Sequence, residues 1–215
     1  MTVQSPIPDF AVAREAMVES QLRPQGVTDP GVLDAMGKVA REKFLPSHTR
    51  PLAYVDRAVG LGGNRFLPAP AVLGQLLTQM RPEAGQSALV IGAGTGYSAA
   101  VLTAIGLRVT AIESDAELIA AAGPGVSLIS GNLESGSANG GSFDQILIDG
   151  AVEYIPEAII DQLADGGRLG AALIDRGITR LIVGRKAGGA FGYLSIGDAG
   201  VPALPGFTRP QAFSF

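Results

Sequence analysis

Val90-Ile91-Gly92-Ala93-Gly94-Thr95-Gly96-Tyr97 stands between an apolar run, Ala88 to Ile91, and a helix-like run, Ser98 to Ile105. A second apolar run from Leu107 to Ile112 follows and ends at Glu113. Strand, glycine turn, helix, strand and terminal acid make the first βαβ unit of a doubly wound, nucleotide-binding α/β fold. Glycines let such a turn be tight and let backbone N–H groups approach a ligand with no Cβ in the way. The acid is placed to accept hydrogen bonds from ribose hydroxyls. Candidate cofactor-binding residues are therefore Gly92, Ala93, Gly94, Thr95, Gly96 and Glu113. A glycine turn that binds nothing is the plainer alternative for so short a motif.

Outward from this unit, periodicity supplies the other elements. Phe10 to Leu22 reads as an amphipathic helix, and Thr28-Asp29-Pro30 as the capped start of another that runs through Met36. Leu52 to Pro70 reads as an irregular, glycine-rich connector before a helix from Pro70 to Met80. After Glu113 come a short helix (Ala116 to Ala122), a third strand (Val126 to Ile129) and a fourth (Phe143 to Ile148) ending in Asp149-Gly150. Glu134 to Ser142 is a Gly/Ser/Asn loop. A helix from Ile155 to Leu163, a turn at Asp165-Gly166-Gly167 and a fifth strand from Arg168 to Ile174 complete the α/β pattern. Thr179 to Val183 and Phe191 to Ile196 then read as a C-terminal antiparallel hairpin, joined by Gly184 to Gly189. The expected architecture is a doubly wound, mostly parallel sheet at 81–215 with a helical extension at 1–80.

Composition narrows the chemistry. A chain of 215 residues, 47% hydrophobic, can bury a sizeable core in one unit. Its net charge of −4 provides no basic field for a nucleic acid backbone. The lack of cysteine removes disulfides, thiolate metal sites and cysteine nucleophiles. His48, the single histidine, rules out multi-histidine metal sites, so no metal is expected. It reads as a solvated loop residue, with general base as the alternative. The uncharged span from Gln86 to Leu107 has transmembrane length, but Gly92, Gly94, Gly96 and Gly106 among polar neighbours argue for strand plus helix. Met1 to Phe10 lacks the basic flank and apolar core of a secretory signal, which leaves the cytoplasm as the expected location and no membrane partner. The oligomeric state is open.

A dinucleotide site asks for G-x-G-x-x-G, whose third glycine would fall on Tyr97. The G-x-G-x-G spacing is instead similar to that of S-adenosylmethionine-dependent methyltransferases. Met17-Val18-Glu19-Ser20-Gln21-Leu22, followed by Gly26-Val27-Thr28-Asp29-Pro30-Gly31-Val32-Leu33-Asp34-Ala35-Met36, resembles the N-terminal signature of the protein-L-isoaspartate O-methyltransferases. Arg41-Glu42-Lys43-Phe44-Leu45-Pro46, Ala53-Tyr54-Val55-Asp56-Arg57-Ala58, Ile155-Pro156-Glu157-Ala158 and Asp161 to Leu169 extend the resemblance over most of the chain. It implies a Rossmann-like methyltransferase fold and a carboxyl methyltransferase with S-adenosyl-L-methionine as cofactor. The implied partner is a peptide or protein carrying isoaspartyl residues, or another carboxylate substrate.

Three positions depart from that pattern. Aligned on Pro70, the family's Q-T-I-S-Q-P segment, whose hydroxyl helps hold the substrate carboxylate, reads Arg65-Phe66-Leu67-Pro68-Ala69-Pro70 here. Pro68 has neither a hydroxyl nor an N–H. The acid that commonly precedes the glycines, near the cofactor's ammonium group, is Val90. The family's G-D-G facing the adenine is Gly131-Asn132-Leu133, so Asn132 joins the candidate cofactor contacts. No catalytic residue is assigned by motif, and two candidates remain. Arg65 either grips a carboxylate with its guanidinium or is a solvated loop arginine. Asp149, at the strand end where such sheets bind ligands, either touches cofactor or substrate or is a turn residue. A different methyl-accepting substrate, and a binding or scaffold protein that has lost turnover, are the alternative functions.

Overall fold

The computed structural model describes residues 9–209. The signal-peptide reading of Met1 to Phe10 and the outer ends of the two expected regions therefore fall, in whole or in part, outside the described residues.

Seven strands form one sheet: β3 (Ser87–Ile91), β4 (Arg108–Glu113), β5 (Leu128–Ser130), β6 (Phe143–Val152), β7 (Leu163–Asp175), β8 (Ile178–Ala187) and β9 (Ala190–Asp198). Their order is β5-β4-β3-β6-β7-β8-β9, parallel through β7 and antiparallel at the β8 and β9 edge. Helices α4 (Tyr97–Ile105), α5 (Ala116–Ala120) and α6 (Glu157–Asp161) carry the crossovers. The chain starts at β3, winds outward to β5, then returns to add β6 on the other side, so strand order reverses between β3 and β6. Crevices at such a reversal are where open α/β sheets bind ligands.

Side-chain alternation on β3 assigns the two faces. Ala88 and Val90 join one buried cluster with Met17, Leu22, Val32, Leu77 and Leu102, while Leu89 and Ile91 join a second with Ile159, Leu204 and Phe207. The first face is roofed by helices that the sequence marks clearly. In α2 (Pro30–Lys38), Asp29 accepts the Val32 N–H at 3.0 Å and Pro30 occupies the first turn. Helix α3 (Pro70–Met80) likewise starts on a proline and buries Leu73, Leu76, Leu77 and Met80. Only the first part of the expected Phe10–Leu22 helix is α-helical: α1 (Phe10–Met17) widens into a π-helical turn at Val18–Leu22.

The connector at 52–70 is not irregular throughout. It contains a separate hairpin, β1 (Val59–Gly62) against β2 (Arg65–Leu67), turning at Gly63-Asn64. Its strands are too short for an alternation signal. Gly184 to Gly189 is mostly strand rather than loop, because β8 continues to Ala187. The ring of Phe191 lies where a Gly184 Cβ would stand, so close packing rather than a turn explains that glycine. Asp149 and Gly150 lie within β6, not at a turn after it, since that strand runs on to Val152.

Candidate functional site

The glycine turn, Glu113 and Asp149 meet at the strand-order reversal. Gly92, Gly94 and Gly96 take φ of 71°, 59° and 96°, left-handed values that strain any residue with a Cβ. That backbone folds the turn so tightly that the amides of Gly92, Ala93, Gly94 and Gly96 are engaged within the protein. Gly92 and Ala93 both donate to the Ile112 carbonyl at 3.0 Å, and Gly96 donates to Ala93 at 2.8 Å. Gly94 donates to Oε2 of Glu113 at 2.7 Å, which ties the acid at the end of β4 to the turn after β3. Thr95 turns away, its hydroxyl donating to the Phe44 carbonyl at 2.6 Å.

Arg65 is not a solvated loop residue. It is 5% exposed, and it grips a carboxylate of the protein itself: Nη1 donates to Oε1 of Glu113 at 2.5 Å. Its Nη2 donates to the Gly92 carbonyl at 3.0 Å. The same Oε1 accepts the backbone N–H groups of Ser114 at 2.8 Å and Asp115 at 3.1 Å. Glu113 is thus fully buried with its oxygens surrounded by donors. The general preference of arginine for the surface loses here because the acid and a carbonyl together satisfy the guanidinium.

Asp149 is also buried, and Ser98 on α4 donates to its Oδ2 at 2.5 Å. Burial pushes its carboxyl up to about 6, against the opposing pull of the Ser98 hydrogen bond and the charges of Arg65 and Arg41. Arg41, which no motif singled out as a site residue, is completely buried. It donates to the carbonyls of Ala53 at 2.8 Å and Pro68 at 2.5 Å and lies 4.9 Å from the Tyr97 ring centre. Burial lowers its pKa, and burial raises that of Tyr97, whose hydroxyl has no hydrogen-bond partner. Neither residue carries a sequence signal for this role beyond sitting in stretches that carry the family resemblance.

The remaining candidates are more peripheral. Asn132 is exposed, and its Oδ1 accepts the Glu134 N–H at 2.8 Å as the cap of a 3-10 turn. His48 is an exposed turn residue. Phe66 is 38% exposed on β2, and Pro68 is buried beside Asp149. Val90 is fully buried in the helix-side core.

Apolar side chains cover the glycines. A Cβ on Gly92 would stand 2.7 Å from Leu204, one on Gly94 2.8 Å from Leu61, and one on Gly96 2.6 Å from Val126. Leu204 belongs to the segment after β9, which lies along β6: Ala151 donates to Pro202 at 2.9 Å and Leu204 donates to Ala151 at 2.7 Å. Among Arg65, Pro68, Asp149, Gly150 and this segment, two cavities of about 10 Å³ each remain. That is the space of one water at most.

Chemically, a buried acid tied to a glycine turn suits a ribose diol, and the turn lies against the strand ends as such a ligand requires. Residues 13–189 match the family model for protein-L-isoaspartate(D-aspartate) O-methyltransferase. A protein-L-isoaspartate O-methyltransferase of Methylorubrum populi is 39% identical over 164 residues, 73% of this chain and 77% of the relative. Another, from Koribacter versatilis, is 33% identical over 197 residues, 88% and 89% of the two chains. Among solved structures, a protein-L-isoaspartate O-methyltransferase superposes with a TM-score of 0.78 at 22% identity, over 90% of this chain and 66% of that one. A Plasmodium falciparum structure of that description, in complex with S-adenosyl-L-homocysteine, gives 0.77 at 19% identity over 89% and 97%. At such identities the two structures bear on the fold alone.

Proposed function

For a chain that belongs to the protein-L-isoaspartate(D-aspartate) O-methyltransferase family, as this one does, we propose methyl transfer from S-adenosylmethionine to the free carboxylate of isoaspartyl residues in peptides or proteins. The observation that carries this reading is the Gly94–Glu113 hydrogen bond at the strand-order reversal, which holds the acid against the glycine turn. Glu113 is the residue to receive the ribose hydroxyls, the backbone of Gly92 to Gly96 the residues to face the rest of the cofactor, and Asn132 the residue to meet the adenine edge. When bound, S-adenosylmethionine supplies an activated methyl group.

A substrate carboxylate is already ionised at neutral pH, so the chain owes it no base. What it supplies is alignment and exclusion of water. Arg65 and Asp149 flank the small cavity beside Pro68, and a substrate carboxylate would be held there once that cavity widens. With its carboxyl pushed up to about 6, Asp149 is protonated mainly below that pH, where it can donate a hydrogen bond to that carboxylate. The location that accompanies this function is the cytoplasm. No helix of the described residues is long and apolar enough to cross a membrane.

A different carboxylate substrate is favoured by one observation: Phe66 and Pro68 stand where the family pattern carries hydroxyls. Radiolabelled-methyl transfer to an isoaspartyl peptide, against its aspartyl twin, tests the first reading. Selective labelling of the isoaspartyl peptide supports it. Cofactor binding without labelling of either peptide moves the assignment to another substrate, and Phe66→Thr with Pro68→Ser should then restore labelling if only substrate grip was lost.

A further inference from the structure

Glu113 offers about four lone-pair sites, as any ionised carboxylate does. Its Oε1 takes Arg65 and two backbone N–H groups, and its Oε2 takes Gly94. The three backbone donors are fixed by the turn and by the chain immediately after β4. Arg65 is the one donor that arrives from elsewhere, on a hairpin that forms its own two-stranded sheet apart from the seven-stranded one. Oε2 keeps one lone pair, so a ribose diol that engages both oxygens of Glu113 must take the place of that guanidinium on Oε1.

A second occupant enters from the other side. The segment that carries Leu204 meets the main sheet through an isolated bridge, Ala151 to Ala203, and the two hydrogen bonds that Ala151 makes, and its ends are tied by Ala199 donating to Thr179 and Glu153 donating to Phe207, each at 3.1 Å. Leu204 itself packs over Gly92 and Gly150. Both occupants converge on Gly92, whose carbonyl Arg65 holds and whose open face Leu204 fills. Leu61, on the same hairpin as Arg65, covers Gly94. Opening the hairpin and this strap exposes Val59, Leu61 and Leu67 of the hairpin and Leu204 and Phe207 of the strap, all buried in the closed form, which keeps the open form a minor species.

We propose that Arg65 and Leu204 form a two-part latch that keeps the cofactor site closed, and that S-adenosylmethionine binds only when the β1–β2 hairpin and the 199–207 strap lift together. The inference rests on the methyltransferase reading above. Its quantitative consequence is that apparent affinity is the intrinsic affinity multiplied by the open fraction, so anything that raises that fraction tightens binding in proportion.

Calorimetric titration with S-adenosylhomocysteine tests this on three proteins: wild type, Leu204→Ala and Arg65→Met. Arg65→Met leaves Glu113 its three backbone donors, and Leu204→Ala leaves the ion pair intact. Each substitution should tighten binding about tenfold or more, the shift expected if the open form is a minor species. Hydrogen exchange on the wild type supplies a second readout that needs no variant: ligand should speed exchange at 59–67 and 199–207 while slowing it at 92–96. Equal affinity in all three proteins, with exchange in the hairpin and strap unchanged or slowed, overturns the latch and leaves the methyltransferase reading standing. If Arg65→Met does not fold, Leu204→Ala and the wild-type exchange decide the matter. Absence of binding by every folded protein at millimolar ligand overturns the cofactor assignment and the latch with it.

Discussion

At the strand-order reversal Arg65 meets Glu113 at 2.5 Å with side-chain exposures of 5% and 0%, whereas at the β9 edge Arg180 meets Asp175 at 3.2 Å with 37% and 51% exposed. Arg180 also approaches Asp198 at 3.6 Å. The two places use the same chemistry for opposite purposes. An exposed pair in high dielectric contributes little, a median of about 0–1 kcal/mol. A buried pair also adds little compared with a well-packed apolar substitute, but losing one partner strands a charge in the interior. Arg41 and Asp149 join Arg65 and Glu113 in the buried group. Such a concentration of desolvated charge adds little to stability, which fits the ligand-binding role proposed for this part of the molecule.

The sharpest way to break this contrast is to remove one partner from each pair. Glu113→Gln should cost about 3–5 kcal/mol in urea unfolding, because Arg65 keeps its charge and loses its counter-ion. Arg180→Ala should cost about 0.5 kcal/mol or less. Comparable losses at the two sites would show that burial does not separate them.

Val90→Asp probes how dry the core is next to the turn. Val90 is fully buried between Ala111 of β4 and Leu147 of β6, so an added carboxylate should destabilise the fold by about 3 kcal/mol. A variant of unchanged stability that binds S-adenosylhomocysteine more tightly would reveal a polar environment reaching β3, and would move the edge of the ligand region inward.

Asp149→Asn asks whether that charge is tolerated at a cost. Folding raises the Asp149 pKa from its ordinary 3.8 to about 6, so the folded state holds the proton more tightly than the unfolded one. The contribution to stability is fully present below about pH 4 and is lost as the pH rises through 6. The amide variant should therefore be more stable at pH 7, by about 2–3 kcal/mol. Its thermal midpoint should also vary less between pH 4 and 6. Parallel melting profiles for the two proteins across that range would place Asp149 in a solvated setting.

Much of this architecture was legible because its signals are local. Asp29-Pro30 announces a helix start through a side chain and a ring that act on the next few residues. The apolar runs around the glycine turn announce parallel strands buried on both faces. The β1–β2 hairpin escaped because strands of three and four residues carry no usable alternation. Gly184 read as loop because a glycine required by a neighbouring phenyl ring looks, in one dimension, like a glycine required by a turn. Of the candidate residues, Glu113's place beside the glycine turn was legible from its distance to the glycines, while the burial of Arg41 and Ser98 there was not. Nothing in a sequence marks which carbonyl or carboxylate a side chain will meet across the fold.

The amino-acid sequence by itself determined the class of sheet, the position of the glycine turn and the acid that answers it. Periodicity, capping and backbone freedom act over a few residues and need no partner from elsewhere. Only the tertiary structure decided that Arg65 is buried, that Glu113 already holds a cation, and that Leu204 lies on Gly92. The reason is separation along the chain. Arg65 and Glu113 are 48 residues apart, and Leu204 comes from a segment beyond β9, so no local preference relates them. Desolvation and packing, which are properties of the assembled fold, bring them together at one residue of the turn.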